Sequence, residues 1–184
     1  MKKTLIIIGV ILLVVVLYLF AAYNGLVGLD EKVTGQWAQV ESQYQRRFDL
    51  IPNLVESVKG IMNQEQEVFG AIADARANYA GAKTVDEKAQ AAGQVESALG
   101  RLLVITENYP ALQSSATVQN LMTQIEGTEN RISTERKRYN DTVQIYNVRI
   151  KRFPGSIVAS MFSFGERSYF ESVEGSELAP QVQF

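Results

Sequence analysis

Apolar residues follow two rules along this chain. From Thr4 to Tyr23 they run almost without interruption, with Gly9 the main break. About 20 such residues make roughly 30 Å of helix, enough to cross the hydrocarbon core of a bilayer. Beyond Tyr23 the apolar positions recur every three or four residues. Val33, Trp37, Val40, Tyr44, Phe48, Ile51, Val55, Val58 and Met62 trace one stripe of an amphipathic helix. Pro52 lies inside that stripe, and its missing donor predicts a kink near Phe48–Ile51. Gly60 and Asn63 offer a second break, with Asn63 and Gln66 spaced as an N-cap pair.

Val68, Phe69, Ile72, Ala75 and Tyr79 continue the pattern up to a turn at Gly81-Ala82-Lys83. Thr84 then caps a new helix, with Glu87 in the capping-box position. Its stripe is Val85, Ala92, Val95, Leu99, Leu102 and Leu103, and Asn108-Tyr109-Pro110 ends it. A long helix over about 114–152 follows. Its seam is Val118, Met122, Ile125, Glu129, Ile132, Arg136, Tyr139, Val143, Tyr146, Ile150 and Phe153. Alternating steps of four and three are the spacing of left-handed bundle packing. Pro154-Gly155 stops the helix, and no strand alternation occurs. The expected class is all-α: an N-terminal transmembrane helix followed by an antiparallel helical bundle. The expected parts are a short N-terminus at 1–3, a span at 4–23, a bundle at 24–154 and a tail at 155–184. In the tail Ile157, Val158, Met161, Phe162 and Phe164 form an apolar patch, read either as a segment folded over the bundle or as an interaction surface. The acidic end beyond it reads as loose.

A cleaved signal peptide is the alternative to a retained anchor. Cuts after Ala22 or Ala21 would place Phe20 or Leu19 at −3, where a small residue belongs. Retention is therefore expected. Lys2, Lys3 and the amino terminus precede the span, while Asp30 and Glu31 follow it with Lys32 the nearby cation. The positive-inside bias puts the N-terminus in the cytoplasm and the domain outside. Tyr18, Phe20 and Tyr23 stand where an interfacial aromatic belt would lie.

Composition narrows the chemistry. The sequence has no Cys and no His. It therefore has no thiol nucleophile or thiolate ligand, and lacks the commonest general base and transition-metal ligand. No Asp-rich cation loop is present. A net charge of −2 gives no basic surface for nucleic acid. Two charged residues, Glu129 and Arg136, fall on the seam of the long helix, and Arg47 lies near that of the first. An internal ion-pair network is one reading, and side chains reaching out to the seam's edge is the other.

Several longer stretches are more specific. They are Tyr23-Asn24-Gly25-Leu26-Val27, Trp37-Ala38-Gln39-Val40, and the run from Gln45-Arg46-Arg47-Phe48-Asp49-Leu50 through Ile51-Pro52-Asn53-Leu54-Val55. Then come Ala75-Arg76, Glu107-Asn108-Tyr109-Pro110, Glu129-Asn130-Arg131-Ile132, Tyr139-Asn140-Asp141, Tyr146-Asn147 and Phe153-Pro154. In this order the chain resembles the LemA family of membrane-anchored bacterial helical proteins, with only the tail past Pro154 matching weakly. The resemblance implies a four-helix bundle, a real break near Gly60–Asn63 and a location in the bacterial inner membrane. It brings no established catalytic residues, cofactor or metal. Members often lie beside genes for membrane proteases or other envelope proteins, which implies a partner role. Among the matching polar residues, Arg47, Asp49, Asn53, Asn108, Glu129, Asn130 and Asn140 are expected, with Arg136, to cap and pin the bundle.

The leading functional expectation is a non-enzymatic scaffold or assembly factor that acts through self-association or envelope partners. A ligand- or peptide-binding sensor, with Arg47, Asp49 and Asn108 lining a site, and an accessory factor to a membrane protease are the alternatives. A hydrolase using Asp49 and Glu129 is the weakest reading, because both lie on packing stripes.

Overall fold

The computed structural model describes residues 2–62 and 64–170. Six helices follow in order: α1 (Lys2–Lys59), α2 (Gln66–Gly81), α3 (Val85–Thr106), α4 (Pro110–Gln113), α5 (Ala116–Lys151) and α6 (Gly155–Met161). No strand occurs among the described residues, so the chain is all-α. The anchor stretch and the first amphipathic stripe are one helix, with no break between Tyr23 and Val33. Helix α1 also continues through Pro52. Pro52 is exposed, so its ring faces away from the packed side of the helix. Asn63 lies outside the described residues. The cap of α2 is Glu65, which makes no side-chain capping bond. The acidic end, 171–184, also lies outside them.

Two compact units are built from these helices. One comprises the chain up to Ala38 with Lys137–Arg167. Its core holds Leu26 and Val33 of α1, Tyr139, Val143 and Tyr146 of α5, and Val158 of α6. Trp37 meets Tyr139 edge-on at 5.2 Å. Seven residues away on each helix, Asp30 lies beside Tyr146. Matching steps in opposite chain directions make α1 and α5 antiparallel here.

The second unit comprises Gln39–Arg136 with the segment from Ser168. Val40, Tyr44, Ile51, Leu54 and Val58 of α1 are buried there, with Ile72 of α2, Val95 and Leu102 of α3, Leu112 of α4 and Ile132 of α5. Three of its aromatic rings cluster, with Tyr44 5.2 Å and Phe48 4.7 Å from Tyr79. The predicted cap of α3 is present in full. Thr84 Oγ1 accepts from the Glu87 amide at 3.1 Å, and the Glu87 carboxylate accepts from the amides of Thr84 and Lys83. Those amides hold the Glu87 pKa below the ordinary carboxylate value. Thr84→Ala is expected to lower the melting temperature by about 2–4 °C, and an unchanged melt would show that the box contributes nothing.

Candidate functional site

The second unit gathers its charges at one place. Arg47 is 1% exposed, among the most deeply buried residues of the fold. The stripe of α1 carries it inward, because Tyr44, Arg47 and Ile51 are three and four residues apart. Its Nε donates to Thr128 Oγ1 at 3.1 Å and a terminal nitrogen donates to Glu129. The other terminal nitrogen is 3.9 Å from Glu96. Glu96 also accepts from Arg136 at 3.3 Å and from the Tyr44 hydroxyl at 3.4 Å. The Arg136 guanidinium lies over the Phe170 ring, 4.2 Å from its centroid. Two guanidinium groups and two carboxylates from α1, α3 and α5 thus form one connected cluster with no net charge.

Of the polar residues singled out in the sequence, the structure brings together Arg47, Glu129 and Arg136. Asp49 is exposed and accepts from Gln45 at 2.8 Å. Asn53 is exposed, and its carbonyl accepts from Ser57. Asn108 sits exposed in the turn after α3, and Asn130 is exposed on α5. Asn140 is half-buried on α5 in the first unit. Arg47 and Asp49 are two residues apart, so they leave the helix on opposite sides and cannot line one pocket. Glu129 pairs with Arg47, whereas Asp49 bonds Gln45 on the exposed side of α1.

Two members of the cluster escape a reading of the sequence. Glu96 falls at helical spacing between Ala92 and Leu99, which was its one signal. Thr128 and Glu129 both fit the step from Ile125, and the buried position is taken by Thr128, 2% exposed. Its hydroxyl also donates to the Ile125 carbonyl at 2.6 Å.

Burial raises the Glu96 pKa above its ordinary value of 4.5. The neighbouring Glu129 carboxylate adds to the rise, and Arg136, Arg47 and the Tyr44 hydroxyl oppose it. A carboxyl raised in this way contributes stability that is complete below the unfolded pKa and lost as pH climbs through the folded one. Glu96→Gln removes that loss. Relative to the unsubstituted protein, the variant's melting temperature is expected to improve as pH rises from 4 towards neutrality. A difference independent of pH would contradict the assignment.

In the first unit, Asp30, Tyr146, Ser163, Phe164, Gly165, Glu166 and Arg167 line an open cavity of about 290 Å³. Its charged groups and the Tyr146 hydroxyl are engaged. Arg167 is bidentate on Asp30 at 2.8 Å, Tyr146 donates to the Gly165 carbonyl at 2.9 Å, and Lys151 pairs with Glu166 at 2.7 Å. Asn147 bonds the Arg167 backbone in both directions, at 2.9 and 3.0 Å. Burial, then the Asp30 charge, raises the Tyr146 pKa. These bonds fasten the segment after α6 onto α1 and α5.

Sequence comparison places this architecture. The LemA family matches residues 36–184, the greater part of the chain. The chain belongs to the LemA family. Among curated relatives of this LemA protein are two magnetosome proteins of Paramagnetospirillum magneticum, MamQ 1 and MamQ 2. Each is 27% identical over 196 residues, covering 89% of this chain and 71% of the relative. Magnetosome protein MamQ of Magnetospirillum gryphiswaldense is 26% identical over 193 residues, with the same coverage. The LemA match begins at Gln36 and takes in all the members of the Arg47 cluster.

Proposed function

We propose that this LemA protein is a single-pass protein of the bacterial inner membrane, anchored by residues 4–23 with its N-terminus in the cytoplasm. Its domain, residues 24–154 with the tail 155–184, works outside the membrane as a non-enzymatic scaffold or assembly factor. It acts through copies of itself or through other envelope proteins. The anchor reading rests on exposure: Leu5 to Leu17 of α1 are apolar side chains 45% or more exposed, apart from Gly9. Water does not tolerate a continuous apolar surface of that size, and a bilayer requires it.

The observation that carries the non-enzymatic reading is the saturation of the Arg47 cluster. Its charged groups answer one another, and a side chain already committed to an ion pair is poorly placed to act on a substrate. Protein contact is further supported by Ile145 and Val148, exposed three residues apart on one face of α5. The relatives are named as magnetosome proteins, and the role proposed for this chain is a structural one in a membrane-bound assembly. The cavity beside Asp30 is the observation that favours a sensor instead, though its charged groups are already paired.

The test is the mass of the full-length protein in native-membrane discs, with imaging of whatever elutes. A regular assembly of several copies, or one stable partner, is the expected result. A monomer that crosslinks to nothing in intact cells would overturn the proposal.

A further inference from the structure

Helix α6 has the wrong outer face for a helix in water. Val158 and Ala159 are buried on its inner side. Its outer side carries Ile157 at 49% and Met161 at 62% exposure, one helical turn apart, followed by Phe162 at 50%. Phe153, in the turn before it, is 80% exposed. A short surface helix ordinarily turns polar residues outward, and a contiguous apolar patch marks a contact.

The position of this patch along the anchor is fixed. In α1 the exposed apolar stretch ends at Phe20, 65% exposed, and burial begins at Ala22 and Leu26. No linker separates the two, because α1 is helical throughout. Tyr23, at the end of the span, touches Phe162 with ring centroids 4.7 Å apart and Phe164 at 5.8 Å. The register that pairs Trp37 with Tyr139 and Asp30 with Tyr146 places Phe153 level with Tyr23. If residues 4–23 cross the membrane, the α6 patch lies at the headgroup level of the same leaflet.

Charge agrees with that depth. Arg149 and Arg152 are exposed, three residues apart at the end of α5, and adjoin Phe153. Lys151 beside them is paired with Glu166. Apolar side chains flanked by cations are the chemistry of an interfacial segment on a phospholipid surface bearing anionic headgroups.

We propose that Phe153, Ile157, Met161 and Phe162 insert into the membrane interface beside the anchor, with Arg149 and Arg152 bound to anionic phospholipid headgroups. The apolar side chains then reach about 5–10 Å into the headgroup–acyl boundary. This second contact, together with the continuous α1, fixes the tilt and rotation of the first unit on the membrane. A scaffold needs that fixed presentation. The inference rests on the anchor reading above, and the experiment separates the two.

The chain has no Cys, so a single introduced one can carry a nitroxide label in the full-length protein. Labels at Met161→Cys, Phe153→Cys, Gln144→Cys and Ile8→Cys are compared in phosphatidylcholine vesicles with and without phosphatidylglycerol. The readout is accessibility to oxygen relative to a water-soluble nickel chelate. The labels at 161 and 153 are expected severalfold above the water-facing label at 144 and below the label at 8. Adding phosphatidylglycerol deepens them, and Arg149→Gln with Arg152→Gln abolishes that shift. Labels at 161 and 153 that match position 144 overturn the proposal while the label at 8 upholds the anchor. Labels shielded from both reagents mean that protein covers the patch, which also overturns it. A label at 8 that behaves as if in water removes the anchor and this contact together. A lipid-induced shift that is missing, or that survives the double substitution, overturns the role given to the two arginines.

Discussion

Arg47→Ala lowers the melting temperature of the detergent-solubilised protein by roughly 6–12 °C, corresponding to about 3 kcal/mol. Three losses add. A long, fully buried side chain leaves a void in the second unit. Thr128 loses its donor inside the fold. Glu96, half-buried beside Glu129, loses one of two guanidinium partners. The cost stays at the low end for a broken buried pair because Glu129 is about half exposed and water can solvate it. Arg47→Met separates packing from charge. It fills most of the space without the buried cation, so the fall is expected to be less than half as large. Hydrogen exchange checks the location, with faster exchange in Gln39–Arg136. Equal falls for the two variants would mean that Arg47 matters for its bonds and not its bulk. No fall in either would remove the cluster as a structural element.

Gly155→Ala has the second-largest effect, for a different reason. The chain turns back between α5 and α6 so tightly that a Cβ on Gly155 would collide with the carbonyl oxygen of Arg149. The obstacle is backbone and cannot swing aside, so α6 must shift from its bed. The cost is about 2–3 kcal/mol, or roughly 4–12 °C in melting temperature, with faster exchange across residues 155–167. Gly127→Ala is the control. It lies within α5 with open space around the Cβ position, so alanine's better helix propensity is expected to stabilise by up to about 1 kcal/mol. If both substitutions stabilise, the turn is not as close as described.

What could be read from the sequence was local or periodic. The Thr84–Glu87 box is contained in four residues, and it formed as read. The apolar stripe of α1 and the seam of α5 named most of those two helices' own buried side chains, because burial on a helix follows the 3.6-residue repeat. What stayed hidden needed three dimensions. Glu96 is one acid at helical spacing between Ala92 and Leu99, and the approach of Arg47 and Arg136 explains its place there. The choice between Thr128 and Glu129 turns on about 100° of helix rotation, which spacing alone does not resolve. The join between anchor and domain was not visible either. The expected boundary lay between Tyr23 and Asn24, yet the helix runs through it, held where Ala22 and Leu26 pack into the first unit. The tail was the least legible part. Its apolar residues were plain, but their level relative to the membrane depends on the contact between Tyr23 and Phe162.

The most direct test of the account is a cysteine scan along α1 in intact membranes, from position 4 to position 31, read by reaction with a water-soluble maleimide. The account predicts unbroken protection from 4 to about 23, then reactivity at the exposed positions 24, 25, 28 and 31. Protection that instead recurs every three or four residues from the start would mean that α1 packs against protein in water, and that the chain is not anchored in the bilayer.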